Sequence, residues 1–161
     1  MSDLRLLFGR PKMKGTGKFL AALREAGEGR GCIIQAMDAS LVVGERHAAF
    51  AAEKAVRAFT ERRNVAKDLG LEILRYASGQ RQIERALSMG VSEATERVAL
   101  IVMGTPPDIS DILELDGEGP RWSEAAVREA FDIGDLEIEA AGEERIPDLV
   151  LERVALIDAY R

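Results

Sequence analysis

The apolar pattern of the chain predicts a mixed α/β (α+β) fold, with a small mixed or antiparallel sheet and several helices packed on it. Three observations lead there. Short apolar runs bounded by glycine or proline, such as Cys32–Met37 and Arg97–Gly104, have the length of strands. Longer stretches between them, Gly44–Arg63 above all, repeat apolar residues at helical spacing. The two kinds of segment intermingle along 161 residues, a length that suits a single domain, residues 1–161, around one core.

Leu4–Phe8 reads as the first strand. Lys18–Glu25 places Phe19, Leu20 and Leu23 at helical spacing, and Gly27, Gly29 and Gly31 separate this short helix from the next apolar run. Cys32–Met37 is the second strand, ending at Asp38. Along Gly44–Arg63, Phe50, Lys54, Arg57 and Glu61 share one edge while Ala55, Ala58 and Phe59 face the core. The tail of that helix sets Arg62 and Arg63 at its C-terminus, where the macrodipole favours cations. Asp68–Ala77 carries Leu69, Ile73 and Tyr76 on one stripe, with Leu71 and Leu74 beside it. Ser78 is expected to cap a third helix, with Ile83, Ala86 and Leu87 as its core stripe and Gly90 as its stop. Arg97–Gly104 is the clearest strand, broken by Thr105–Pro106–Pro107. Residues 108–145 read as acidic and irregular, apart from a helix over Ser123–Phe131. Pro147 opens a last helix to about Tyr160, its missing N–H harmless in the first turn.

Composition removes several function classes. Apolar residues are 47% and charged residues 31% of the chain, a globular balance. The longest uninterrupted apolar run, Val98–Met103, is too short to span a membrane, and the start of the chain lacks the apolar stretch of a secretory leader. One cysteine cannot form an internal disulfide, and one histidine leaves little for a soft metal site. A reduced, cytoplasmic protein without metal or cofactor is the expectation.

No set of residues reads as catalytic. A phosphate-binding Gly-x-x-x-x-Gly-Lys-Ser/Thr loop is missing, and Gly27-x-Gly29-x-Gly31 precedes a strand where a dinucleotide fingerprint follows one. Glu45 and His47 stand two apart at a helix start and point in different directions. Cys32 reads as a small buried hydrophobe, no serine sits in a Gly-x-Ser-x-Gly turn, and residues 108–118 lack calcium-loop spacing. An enzyme is therefore not expected.

Charge is distributed unevenly. Residues 1–85 carry 16 Lys/Arg against 10 Asp/Glu, while residues 86–161 carry 6 against 18. Within residues 54–85 there are 8 basic and 4 acidic side chains. Such asymmetry points to one face for a polyanion opposite an acidic remainder, or to ordinary solvated helix faces. Around Ser78-Gly79, Arg81 is expected in the first turn of a helix, where the dipole opposes a cation, with Arg75 and Lys67 adding like charge. A bound phosphate would relieve that arrangement. A plain helix–turn–helix corner, with Arg81 reaching solvent or a carboxylate, fits the spacing too.

Three stretches narrow the choice: Gln35-Ala36-Met37-Asp38-Ala39 running on to Gly44-Glu45-Arg46-His47; Ala55-Val56-Arg57-Ala58-Phe59; and Leu71–Ile83 with its Tyr-x-Ser-Gly-x-Arg-Gln-Ile element. Over roughly Cys32–Gly104 they resemble the small kinase-binding subunit of the KEOPS (EKC) complex, the TPRKB-like family, in its archaeal members. Residues 105–145 follow no pattern of that family. The resemblance implies a non-catalytic subunit that docks on the atypical kinase/ATPase of the complex. It also implies a grip on the single-stranded CCA 3′ end of tRNA while threonylcarbamoyl is placed on the adenosine beside the anticodon. Other subunits of the complex would be met indirectly. Carried over by motif position, the RNA-binding residues are Arg62, Arg63, Asn64 and Lys67, then Tyr76, Ser78, Gly79, Gln80, Arg81, Gln82 and Ile83. Arginines would take phosphates, Asn64 and Gln82 base edges, and Tyr76 or Ile83 a base face.

The last helix carries the partner-binding expectation. Leu149, Val150, Val154 and Ile157 form a stripe, which Leu151, Ala155 and Leu156 widen. The pattern fits a helix buried in its own domain as well as one that keeps a face for a partner. The resemblance favours the kinase at this end. A protein adaptor or allosteric regulator of the kinase that makes no RNA contact is the alternative reading.

Overall fold

The computed structural model describes residues 3–159. Its elements run β1 (Leu4–Pro11), α1 (Thr16–Arg30), β2 (Ile33–Asp38), α2 (Glu45–Thr60), α3 (Leu69–Ser78), α4 (Ile83–Ala86), β3 (Val98–Met103), β4 (Leu113–Leu115), α5 (Glu124–Ala130), α6 (Asp135–Ala141) and α7 (Ile146–Leu156). Short 3-10 turns lie at Ala39–Leu41, Leu87–Met89 and Glu143–Arg145. The strands form one antiparallel sheet in the order β2-β3-β1-β4, so the fold is mixed α/β as the sequence predicts.

β3 is apolar at every position because helices cover both faces of it. Val98, Leu100 and Val102 cluster with Phe19 and Leu23 of α1 and with Cys32, Ile109 and Leu113. Ala99 and Ile101 belong to the larger core, built with α2, α3, α5 and α7. No helix among the described residues is long and apolar enough to cross a membrane.

Several boundaries depart from the sequence pattern. α1 runs through Gly27 and Gly29 to Arg30, because Gly27 packs where the chain turns back and its carbonyl accepts the Cys32 N–H at 2.9 Å. β1 continues past Phe8 to pair with β4, which the sequence reading left within an irregular segment. β4 lies so close over Gly9 that a Cβ there would stand 2.3 Å from the Glu114 carbonyl oxygen. α6 is likewise an element that the acidic pattern concealed.

α2 stops at Thr60, short of the expected Arg63. Arg62 adopts φ 57°, its N–H donating to the Phe59 carbonyl, and the Arg63 N–H closes on the Ala58 carbonyl at 2.9 Å. This is a left-handed helix closure with arginine where glycine is usual. α3 begins with Asp68 as cap, its carboxylate accepting the Leu71 N–H at 2.8 Å, and α5 begins with Ser123 in the same role. α7 gives way to a turn at Ile157, and the expected helix end at Tyr160 lies outside the described residues.

Candidate functional site

The basic corner is organised by a buried ion pair on α3. Glu72 is wholly inaccessible, and Arg75, one turn later, grips it with Nε at 3.0 Å and a terminal nitrogen at 2.9 Å. The same carboxylate accepts the backbone N–H of Ala66 at 2.9 Å and of Val65 at 3.2 Å. The other terminal nitrogen of Arg75 donates to the Arg81 carbonyl at 3.3 Å, and the guanidinium lies 4.8 Å from the centre of the Tyr76 ring. Burial works to lower the Arg75 pKa, but the Glu72 carboxylate outweighs it and keeps the guanidinium charged.

A second hub is Asp158, in the turn after α7. Its carboxylate accepts the Tyr76 hydroxyl at 2.7 Å, Arg63 at 3.1 Å and Lys54 at 3.3 Å. Burial pushes this carboxyl up, yet the Tyr76 hydroxyl and the two cations together hold it below the usual range. Burial and the bond to Asp158 raise the Tyr76 phenol. Glu61, before Asp158, raises Arg63. α2, α3 and the end of the chain are thus tied at one polar point.

These contacts revise the geometry expected of the corner. Ser78 is the last residue of α3 and caps nothing after it. Its hydroxyl donates to the Arg75 carbonyl and accepts the Gln80 N–H. α4 is a single turn starting at Ile83 with Gln82 before it, so Arg81 precedes the helix and does not lie in its first turn. Of the clustered cations, Arg75 is matched from within, by Glu72. Gly79 has φ 68°, and what approaches it is protein: a Cβ there would lie 3.2 Å from the Arg153 Cβ.

Arg62, Lys67, Arg81 and Gln82 are exposed, while Gln80 and Ile83 are partly exposed. Arg63 is tied into the Asp158 hub. The Asn64 side-chain amide donates to the Ala66 carbonyl at 2.9 Å, which leaves that group engaged within the loop. Tyr76 and Ser78 are buried, so the Tyr76 ring faces the core and not solvent. Sequence reasoning missed Arg85 and Arg153, which join residues 79–82, Leu156 and Ile157 around a cleft of about 420 Å³. Arg81 reaches across it to the Leu156 carbonyl at 3.4 Å. The Glu72–Arg75 spacing, three apart on a helix, was the available signal for the buried pair. Asp158 had none.

The expected docking stripe on α7 turns inward. Val150, Val154 and Ile157 belong to the chain's own core, and Leu149 packs against it. The side left outward carries Ala155 and Leu156, with Leu151 half-buried. His47 is also structural. It is buried with Nε2 donating to the Ala77 carbonyl at 2.8 Å and Nδ1 accepting the Val43 N–H, and burial lowers its pKa to about 4.

The chain matches the family of kinase binding protein CGI-121 over residues 21–158 and belongs to it. This is the TPRKB family whose likeness the sequence carries, and the match extends across residues 105–145, where that likeness had shown no pattern. No curated protein matches the chain.

Proposed function

We propose that this member of a kinase-binding family is a non-catalytic KEOPS subunit of the archaeal type, cytoplasmic. It docks on the atypical kinase/ATPase of the complex and grips the CCA 3′ end of tRNA, in support of threonylcarbamoyl-adenosine (t6A) formation. One observation carries the RNA part: the loops 61–68 and 79–82 are bonded to a single ion pair, and between them they expose Arg62, Lys67, Arg81 and Gln82. In this reading the exposed cations meet phosphates, Gln80 and Gln82 meet base edges, and Ile83 supports a base face. Arg63, Asn64, Tyr76, Ser78 and Gly79 shape the surface from behind. With aromatics at 5% and Tyr76 buried, stacking contributes little and affinity is mainly electrostatic. For the kinase, the outward side of α7, with Ala155 and Leu156, takes the place of the buried stripe. Other subunits are reached through the kinase.

Binding of the purified chain to full-length tRNA, and to the same tRNA trimmed of its CCA end, at two salt concentrations tests this. Binding that is lost on trimming and weakened by salt is expected. Ala155→Glu, on the outward side of α7 but outside the cleft that Leu156 lines, is expected to weaken kinase binding and spare tRNA. Equal binding to both RNAs, or none, overturns the tail-binding reading. Lys54, Arg57, Arg63 and Arg75 are all paired with carboxylates of this same chain, which favours a second reading as an adaptor without RNA contact. Kinase binding retained with no affinity for either RNA would establish that one.

A further inference from the structure

We infer that Glu72 and Arg75 are positioning residues, which hold the 61–68 and 79–82 loops in the one relative placement at which both engage the same strand of RNA. The inference rests on the RNA-binding reading and adds to it the device that builds the surface. A fully buried carboxylate–guanidinium pair is weak evidence of stability, because apolar residues of similar volume generally stabilise a core as well or better. What an apolar pair cannot do is bond backbone groups. Here the ionic pair bonds three of them, on two loops. Glu72 takes the N–H groups of Val65 and Ala66, beside exposed Lys67. Arg75 reaches the carbonyl of Arg81.

Both side chains stand on α3 three residues apart, so the pair is rigid, and its outward bonds transmit that rigidity. Each loop has further bonds of its own, from Arg63 to Asp158 and from Asn64 to the Ala66 carbonyl in the first and from Arg81 to the Leu156 carbonyl in the second, and the ion pair adds the link from one loop to the other. All acceptor directions of Glu72 are used by this set, and every nitrogen of Arg75 has a partner. A surface for a flexible single strand gains most from such preorganisation, since the RNA already loses freedom on binding.

The test compares wild type, Glu72→Gln and Arg81→Glu in the full chain, measuring affinity for labelled tRNA ending in CCA and for the kinase subunit. Glu72→Gln keeps the shape and removes the charge. It is expected to weaken tRNA binding about tenfold or more, while kinase affinity stays within about twofold. Amide exchange at Val65 and Ala66 should accelerate in the same variant. If Glu72→Gln fails to fold, the double variant Glu72→Met/Arg75→Leu, which leaves no buried charge unpaired, is read in the same way. Loss of tRNA binding in Arg81→Glu but not in the α3 variant overturns the positioning role and leaves the RNA reading standing. Equal loss of both partners overturns it as a general folding defect. A wild type that binds no tRNA overturns both.

Discussion

Two arginines of this protein make the same fork on a carboxylate beside an aromatic ring, and they do different work. Arg97, just before β3, binds Asp116 with two nitrogens at 2.6 and 2.8 Å and lies 4.6 Å from the centre of the Phe8 ring. It repeats the geometry of Arg75 with Glu72 and Tyr76. Arg97, however, joins the ends of β3 and β4 on the two sides of β1, and beyond Asp116 it donates to the Gly119 carbonyl. Its remaining nitrogen is buried without a hydrogen-bond partner among the described residues. The Arg75 pair lies within one helix, and its outer bonds go to two loops that carry exposed cations. The role of a buried ion pair is thus read from the groups at its far ends, not from its own geometry.

Removing one partner from each pair tests that contrast with the largest effect. Glu72→Ala strands a buried guanidinium and is expected to cost about 4 kcal/mol. Asp116→Ala, where the carboxylate is 19% exposed, is expected to cost about 2 kcal/mol. Urea unfolding of both variants reads the difference, and equal costs would break the comparison.

Acid separates the two regions as well. His47 ties α2 to α3, and its folded pKa of about 4 lies below the ordinary 6.5, so the unfolded chain takes up the proton first. Its contribution is complete above about pH 6.5 and is lost as pH falls toward 4, about 3 kcal/mol in all. Arg97 holds the Asp116 carboxyl down to about 2, so that contribution fades only between about pH 4 and 2. The α2–α3 side should weaken first. Equilibrium unfolding against pH, with the single histidine followed by NMR, checks the order, and a His47 titrating near 6.5 would contradict it.

The smallest effects sharpen the view of the two loops. Both turn through a left-handed residue, Arg62 in one and Gly79 in the other. Gly79→Ala is expected to cost about 1–2 kcal/mol, from its positive φ and its contact with Arg153. Arg62→Gly relieves strain and is expected to stabilise by about 0.5 kcal/mol, while weakening RNA binding through the lost charge. Thermal melts beside RNA titrations separate the two consequences.

The legible parts of the fold were those with strong periodicity. β3, α2 and α3 followed from apolar spacing, with boundaries shifted by a few residues, and the helix over Ser123–Phe131 was legible as well. β4 escaped because it has three residues, two of them exposed, and exists by pairing with β1 over Gly9. The stripe of Val150, Val154 and Ile157 was correctly seen as apolar, but the pattern could not say which surface would bury it. Tyr76 carried the same ambiguity, and its hydroxyl proved to face Asp158, 82 positions away.

By itself the sequence determined the class of fold, the apolar stripes, the uneven charge and the corner around Ser78-Gly79. These depend on residue type and on spacing within a few turns, where backbone geometry is nearly invariant. Only the tertiary structure decided which cations are matched from within. Glu72 is chosen as partner of the loops, and Asp158 as partner of Lys54, Arg63 and Tyr76, by proximity created when α2, α3 and α7 pack. Charge interactions depend on distance and burial, and neither is encoded in the order of residues alone.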